Sequence, residues 1–423
     1  MPQILPFRGL RYAPEAGPLS GLLAPPYDVI NPVQQAALMA RSPYNAVHLE
    51  LSGGAPGRYE AVAGLVASWE QAGALARDEK PMLYVYEQEF VEAGCTFTRR
   101  ALIAEVEAQP WEEGAIKPHE QTMSGPKEDR FRLLEATGIQ FSPVFMIARD
   151  RAAQLRQFLQ ATIESRLPDL TGTSIDGDAH RLWLIEAGRY EMRSLAPLLS
   201  ESFYIADGHH RYETAVNYKL QTVEREGAIP RDHPARFAMT AIVAADDPGL
   251  VIRPIHRIIP RPAPPDWRVR LDRDFVVVPL SGQTASQVAD ALASAPEAIV
   301  ALGLDAGAAH VLTPRDASVY ARLAPPGHSA EWAAVPPNLA RYGVLEPLWG
   351  IGDDDLRAGA VEYSHDIDEV LDRAAAGACC LLLAPVDVWS VIRLADQGER
   401  LPQKSTFFHP KLGTGLVFHP LTP

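Results

Sequence analysis

Cysteine is scarce in this chain. Cys95 and the adjacent pair Cys379 and Cys380 are all there is, so neither a disulfide framework nor a C-x-x-C metal spacing can be drawn. Such sparse thiols fit a reducing compartment, and the expected location is cytoplasmic. Long apolar runs are missing too. ACCLLLAPVDVW is too short to span a bilayer and is broken by Pro385. The opening MPQILPFRGLRY has no basic region followed by an apolar core, so it does not read as a secretory signal. Positive charge is in deficit: 39 Lys and Arg against 53 Asp and Glu give a formal net charge of −14. That balance argues against coating nucleic acid or an anionic membrane by bulk electrostatics, and leaves a local basic cleft open. There is no Walker A loop, no G-x-G-x-x-G and no G-x-S-x-G elbow. His119-Glu120 begins like a zinc-protease helix, but Met123 stands where the second histidine is required. Internal repeats, low-complexity tracts and heptads are also lacking.

What is present is a soluble-type composition, 47% hydrophobic and 22% charged over 423 residues, enough for two or three domains with ample core. The most informative stretch is SFYIADGHHRYETAVN, Ser202 to Asn217. Phe203, Tyr204 and Ile205 read as a buried strand, and Asp207-Gly208 as a tight turn in which glycine reaches φ > 0 without steric cost. From His209 onward, Tyr212, Ala215, Val216, Leu220 and Val223 recur at helical spacing. Asp207, His209, His210 and Arg211 therefore crowd the start of a helix, whose unpaired N–H groups and positive dipole end favour an anion. Arginine and histidine suit a phosphate or carboxylate; the aspartate suits a metal or a proton. Each residue alone has a plain reading as a cap, a surface pair or a packed loop histidine. Together they mark a site.

Other stretches add candidates. LAPPYDVI presents Tyr27 and Asp28 after two prolines. In NAVHLELSGG (Asn45–Gly54), alternation of Val47, Leu49 and Leu51 with His48 and Glu50 predicts a half-buried strand whose polar face carries both. A solvated strand face explains that pair equally well. Pro81–Val91 and Thr98–Ala108 flank a turn at Ala93-Gly94, which predicts a hairpin. The loop Ile116–Gly138 gathers Lys117, His119, Glu120, Thr122, Lys127, Asp129 and Arg130, the density expected of an anion-binding or lid loop, or of a flexible surface loop. His256-Arg257 forms a second His-Arg pair. The run Asp353-Asp354-Asp355 reads as an acidic surface turn before it reads as a cation site. The closing segment gathers Lys404, Ser405, Thr406, His409 and Lys411 in a tail too apolar for disorder, which should pack back on the body. Strands alternating with helices imply an α/β to α+β fold: a mixed-sheet domain over residues 1–262, a proline-rich boundary, and a second α/β domain over 263–423.

Ala206–Ala215, ADGHHRYETA, resembles the hallmark of a bacterial and archaeal family long catalogued as a domain of unknown function. APPYDVI, the Asn45–Leu51 stretch, KPHEQT with KEDR, SPVF, IHR and KSTFFHPK resemble the same family in the same order. The Asp-Gly-His-His-Arg core is similar to the signature loop of the ParB/sulfiredoxin-like superfamily, in which such a turn grips nucleotide phosphates. A histidine here occupies the place of the sulfiredoxin catalytic cysteine, and basic DNA-binding composition is lacking; the free-serine-kinase branch matches best. The resemblance implies a nucleotide-dependent phosphotransferase acting on a small hydroxyl substrate such as free L-serine, using ATP or ADP with Mg²⁺. Gly208, His209, His210 and Arg211 would hold phosphates, and Lys127, Arg130, Lys404 and Lys411 would close over them. Asp207 would bind Mg²⁺ or orient a histidine. Glu50 is the expected base, with His48 beside it and Asp28 a competitor. A ParB-like nucleotide-binding switch and a phosphate-ester hydrolase are the other readings.

Overall fold

The computed structural model describes residues 3–51, 57–121, 124–305 and 308–422, without the side chains of residues 124–127 and 190. The chain forms two compact units. The first comprises Met1–Pro118, Thr122–Val251 and the tail Pro410–Pro423; the second comprises His119–Gln121 and Ile252–His409.

Unit 1 is built on a nine-stranded mixed sheet. In chain order its strands are β1 (Ile4–Leu5), β2 (Met82–Glu92), β3 (Cys95–Glu107), β4 (Ile116–Pro118), β5 (Val144–Ala148), β6 (Leu170–Thr173), β7 (Ala179–Glu186), β8 (Phe203–Asp207) and β9 (Phe237–Ala244). The spatial order is β4-β8-β5-β9-β3-β2-β7-β6, with β1 added on β3. β8 runs parallel to β4, and β9 parallel to β5; the other pairings are antiparallel. The β2–β3 hairpin turns at Ala93-Gly94, both at positive φ (48° and 77°), as a tight two-residue turn requires. β5, β8 and β9 are apolar almost throughout and nearly wholly buried, as expected of strands covered on both faces.

The expectation for Asn45–Gly54 fails where it is described. Val47–Glu50 is a single helical turn (α1), so His48 and Glu50 do not share a strand face. Asn45 is the local cause: its Oδ1 accepts from Val47 N at 3.0 Å and its Nδ2 donates to Gly21 O and Leu23 O. A four-residue apolar pattern does not separate strand from helix, and the capping asparagine decides. Residues 52–54 lie outside the described residues. The expected loop is also shorter, because helix α2 (Ser124–Thr137) already carries Asp129 and Arg130. Helix α3 (His209–Glu226) begins where expected, but its face is turned: Thr214 and Thr222 are buried, whereas Leu220 and Val223 are exposed.

Unit 2 holds a six-stranded antiparallel sheet. Its strands are β10 (His256–Ile259), β11 (Phe275–Leu280), β12 (Ile299–Asp305), β13 (Ala308–Pro314), β14 (Glu362–Ser364) and β15 (Cys379–Leu383), ordered β11-β13-β12-β15-β10-β14. Asp353-Asp354-Asp355 opens a short helix. Asp353 pairs with Arg341, Asp354 with Arg357, and Asp355 accepts from Gly352 N, the plain account of that acidic run.

Candidate functional site

β8 and α3 meet at Gly208, which sits at φ 85°, ψ 30°. A β-bulge immediately precedes it: Ile205 pairs with Met146 and Asp207 with Phe145, leaving Ala206 as the extra residue. Bulges re-aim the following side chain, and here that side chain is Asp207. Gly208 brings no side chain to cap α3, and a Cβ there would lie 2.9 Å from Arg211 Nε. The residue is therefore required both by its backbone conformation and by the guanidinium lying over it.

Arg211, the third residue of the helix, donates to Asp207 Oδ2 at 2.5 Å and to Pro143 O at 2.6 Å. Lys411, from the returning tail, donates to Asp207 Oδ1. Burial alone would raise the Asp207 carboxyl, but Lys411, Arg211 and His209 outweigh it and hold Asp207 down at about 2. Two cations on one carboxylate leave surplus positive charge at the N-terminus of an eighteen-residue helix. That is an electrostatic setting for an anion. Both Asp207 oxygens are committed to cations, so the expected role of direct metal ligand meets an occupied carboxylate. Among the described residues no group of three or more His, Cys, Asp or Glu is arranged for a metal.

Beside Arg211 lies a cavity of about 50 Å³ lined in part by Glu50, Arg130, Ser142, Arg211 and Thr214. Glu50 is only 4% exposed; its Oε2 accepts from Arg130 at 2.7 Å, while its Oε1 has no hydrogen-bond partner among the described residues. Thr214 Oγ1 is likewise buried and unpartnered. Buried polar atoms left open on a cavity are what a ligand or ordered water satisfies. Arg130 also donates to Asp129 and stacks on Tyr27, 4.0 Å from the ring centroid. It therefore orients Glu50 and Tyr27. Burial and the charge of Asp28 push the Tyr27 hydroxyl up to about 12, despite Arg211 and Arg130. Asp28 is exposed and close enough to add to the field on Arg211.

Unit 1 thus gathers Tyr27, Asp28, Glu50, Arg130, Asp207, Gly208, His209, His210, Arg211 and Lys411. His48 is elsewhere engaged, its Nε2 at 3.2 Å from Ser42 O and its ring against Trp69. Thr122 and the Lys127 side chain lie outside the described residues. His119, Glu120, His256, Arg257, Lys404, Ser405 and Thr406 belong to unit 2. There Glu120 Oε1 accepts from Ser405 N, Thr406 N and Thr406 Oγ1, and His119 Nε2 lies 2.8 Å from Thr406 Oγ1. Arg257 is buried, which lowers its guanidinium to about 10; it donates to Ile255 O and Lys404 O. His256 Nδ1 accepts from Leu383 N at 3.2 Å. Lys404 is exposed with φ at 60°. These contacts tie Lys404, Ser405 and Thr406 to unit 2, whereas Lys411 at the end of KSTFFHPK belongs to unit 1.

Thr214 and Arg99 were not singled out by sequence. Thr214 gives no signal in sequence, because the apolar residues of its helix set the expected phase. Arg99 had a usable signal: in a strand, adjacent Arg99 and Arg100 face opposite sides, so one of them must point inward.

No curated protein matches the chain. Among solved structures it is similar to a free serine kinase variant in complex with ADP (13% identity, TM-score 0.36, 75% of this chain and 92% of that one). It is also similar to a conserved hypothetical protein from Pyrococcus furiosus (13% identity, TM-score 0.33, 74% and 93%). A third is SbnI with a C-terminal truncation from Staphylococcus aureus (10% identity, TM-score 0.36, 75% and 87%). Residues 4–331 match the family model described as protein of unknown function, DUF1015, and the chain belongs to that family.

Proposed function

We propose that the protein is a nucleotide-dependent phosphotransferase acting on a small hydroxyl compound. The observation that carries this reading is the pairing of Arg211 and Lys411 on Asp207 at the start of α3, beside a Glu50 carboxylate with one open oxygen. The surplus positive charge and the first-turn N–H groups suit the phosphates of ATP or ADP. Mg²⁺ would accompany the nucleotide and offset phosphate charge; among the described residues no cluster of three or more His, Cys, Asp or Glu is arranged to hold it.

Glu50 Oε1 would take the acceptor's hydroxyl proton as the acceptor oxygen bonds to the terminal phosphorus. The bond from that phosphorus to the nucleotide oxygen breaks, and its electron pair leaves with the nucleotide. Arg211 and Lys411 would offset charge on the transferring group, and Arg130 would hold Glu50 in orientation. The resemblance of the Asp-Gly-His-His-Arg loop makes free L-serine the first acceptor to try.

The test is phosphorus NMR of the protein with Mg²⁺ and ATP or ADP, with and without L-serine. An acceptor-dependent phosphomonoester that is lost in Glu50→Gln supports transfer. Nucleotide loss independent of any acceptor would replace transfer with hydrolysis. Tight nucleotide binding without turnover would replace both with a binding switch.

A further inference from the structure

Three strands of unit 1 carry one polar residue each at directly opposed positions. His180 on β7 is in register with Gln88 on β2, and Gln88 with Arg99 on β3. Opposed residues share a face of the sheet, so the three side chains form a single rung. All three are buried, at 2%, 1% and 1% exposure, and the same face of the sheet carries buried Tyr86, Phe90, Ala101 and Leu182 two residues away along the strands. Burying an arginine costs heavily unless its donors are used, so the rung needs a reason.

The rung's contacts supply one. Arg99 Nη2 donates to Gln88 Oε1 and to the backbone carbonyl of Pro410, both at 2.6 Å. Gln88 Nε2 donates to Asp178 at 2.9 Å and to the backbone carbonyl of Lys411 at 3.3 Å. Arg99 lies over the Phe145 ring, its guanidinium carbon 4.9 Å from the centroid. His180 stacks on Tyr86 with Nδ1 2.7 Å from its hydroxyl, and a Cβ on Gly413 would come within 3.2 Å of the His180 ring. The rung therefore bonds to the carbonyls of Pro410 and Lys411 and packs under Gly413. Lys411 is the residue whose ammonium bonds Asp207.

We infer that Arg99 and Gln88 are positioning residues that place Lys411 on Asp207, so that the anion-binding end of α3 is completed only by the returning tail. The functional weight of this rests on the phosphate-binding reading of Asp207, Arg211 and Lys411. Further along, the tail pairs with the body independently, through Thr414 with Ala24 and Phe418 with Leu10. Weakening the rung should therefore free the Lys411 end without releasing the whole tail.

A double-variant cycle with Gln88→Leu and Lys411→Met tests the link, read by carbon-13 titration of the Asp207 carboxyl and by ADP calorimetry. The expected result is that Gln88→Leu moves the Asp207 midpoint upward, as Lys411→Met does, and weakens ADP binding about tenfold. In the double variant the Gln88 effect should vanish, because it acts through Lys411. Should Gln88→Leu not fold, Arg99→Lys keeps the charge and gives up the paired donation, and should move the same midpoint. An unchanged Asp207 midpoint in a folded variant, or additive effects in the cycle, would overturn the inference. Absence of ADP binding by the wild type would remove the phosphate reading, while the Asp207 titration would still decide the positioning role.

Discussion

Asp207 and Lys411, 204 positions apart in sequence, form an ion pair inside the same unit. Lys411 shares that carboxylate with Arg211, which comes from the first turn of the helix that follows. A long-range partner and a local one thus set the charge at one helix terminus. The chemistry proposed for the protein depends on both.

Asp207→Asn should leave two buried cations without their counter-charge. Loss of one partner from a buried ion pair destabilises by about 3 kcal/mol or more. Urea unfolding at pH 7 measures it. Because Asp207 is held at about 2, below its unfolded value, its contribution is complete above roughly pH 4 and is lost as pH falls through 2. The gap between wild type and Asp207→Asn should close over that window.

Glu50→Gln keeps an acceptor for Arg130 and removes the proton-accepting oxygen. Turnover should fall by about 10² to 10⁴ while nucleotide affinity holds within a few-fold. Acceptor-dependent rates set beside ADP calorimetry separate the two. An equal loss in both would make Glu50 a structural group.

Gly208→Ala should both strain the backbone and displace Arg211. Placing a side chain at φ 85° costs about 1–2 kcal/mol, and its Cβ would press on the guanidinium at 2.9 Å. Thermal unfolding should show that loss. Phosphate or ADP affinity should drop further than a remote variant of equal stability allows.

His180 is pushed down to about 4, by burial first and then by Arg99. Between pH 6.5 and 4 the unfolded chain binds the proton that the native rung refuses, so this histidine makes stability fall as pH falls, by up to about 3 kcal/mol. Asp247, raised to about 6 by burial, works in the opposite sense over part of that range. Comparing wild type with His180→Asn cancels the Asp247 term. The variant's relative stability should improve as pH drops from 7 to 4, measured by denaturant unfolding at each pH.

The β8–Gly208–α3 unit was legible because each of its signals is local: an apolar run, a glycine at a turn, and helical spacing within a few residues. The hairpin at Ala93-Gly94 was legible for the same reason. Glu50 was found as a residue but assigned to the wrong element, since the capping by Asn45 that bends Val47–Glu50 into a helical turn also uses carbonyls from residues 21 and 23. The phase of α3 was misjudged because Thr214 and Thr222 are buried by what packs on the helix.

By itself the sequence determined which segments turn, and that a cluster of Asp, His and Arg side chains opens one helix. Local sterics, backbone preferences and side-chain pKa values act over a few residues, so they can be read in one dimension. Only the tertiary structure decided that Lys411 rather than Lys404 reaches Asp207, and that Arg130 serves Glu50. It alone showed that His180, Gln88 and Arg99 fall on one rung. Those outcomes depend on strand register and on a C-terminal tail that rejoins unit 1. Both are set by packing between segments far apart in the chain, which no local pattern encodes.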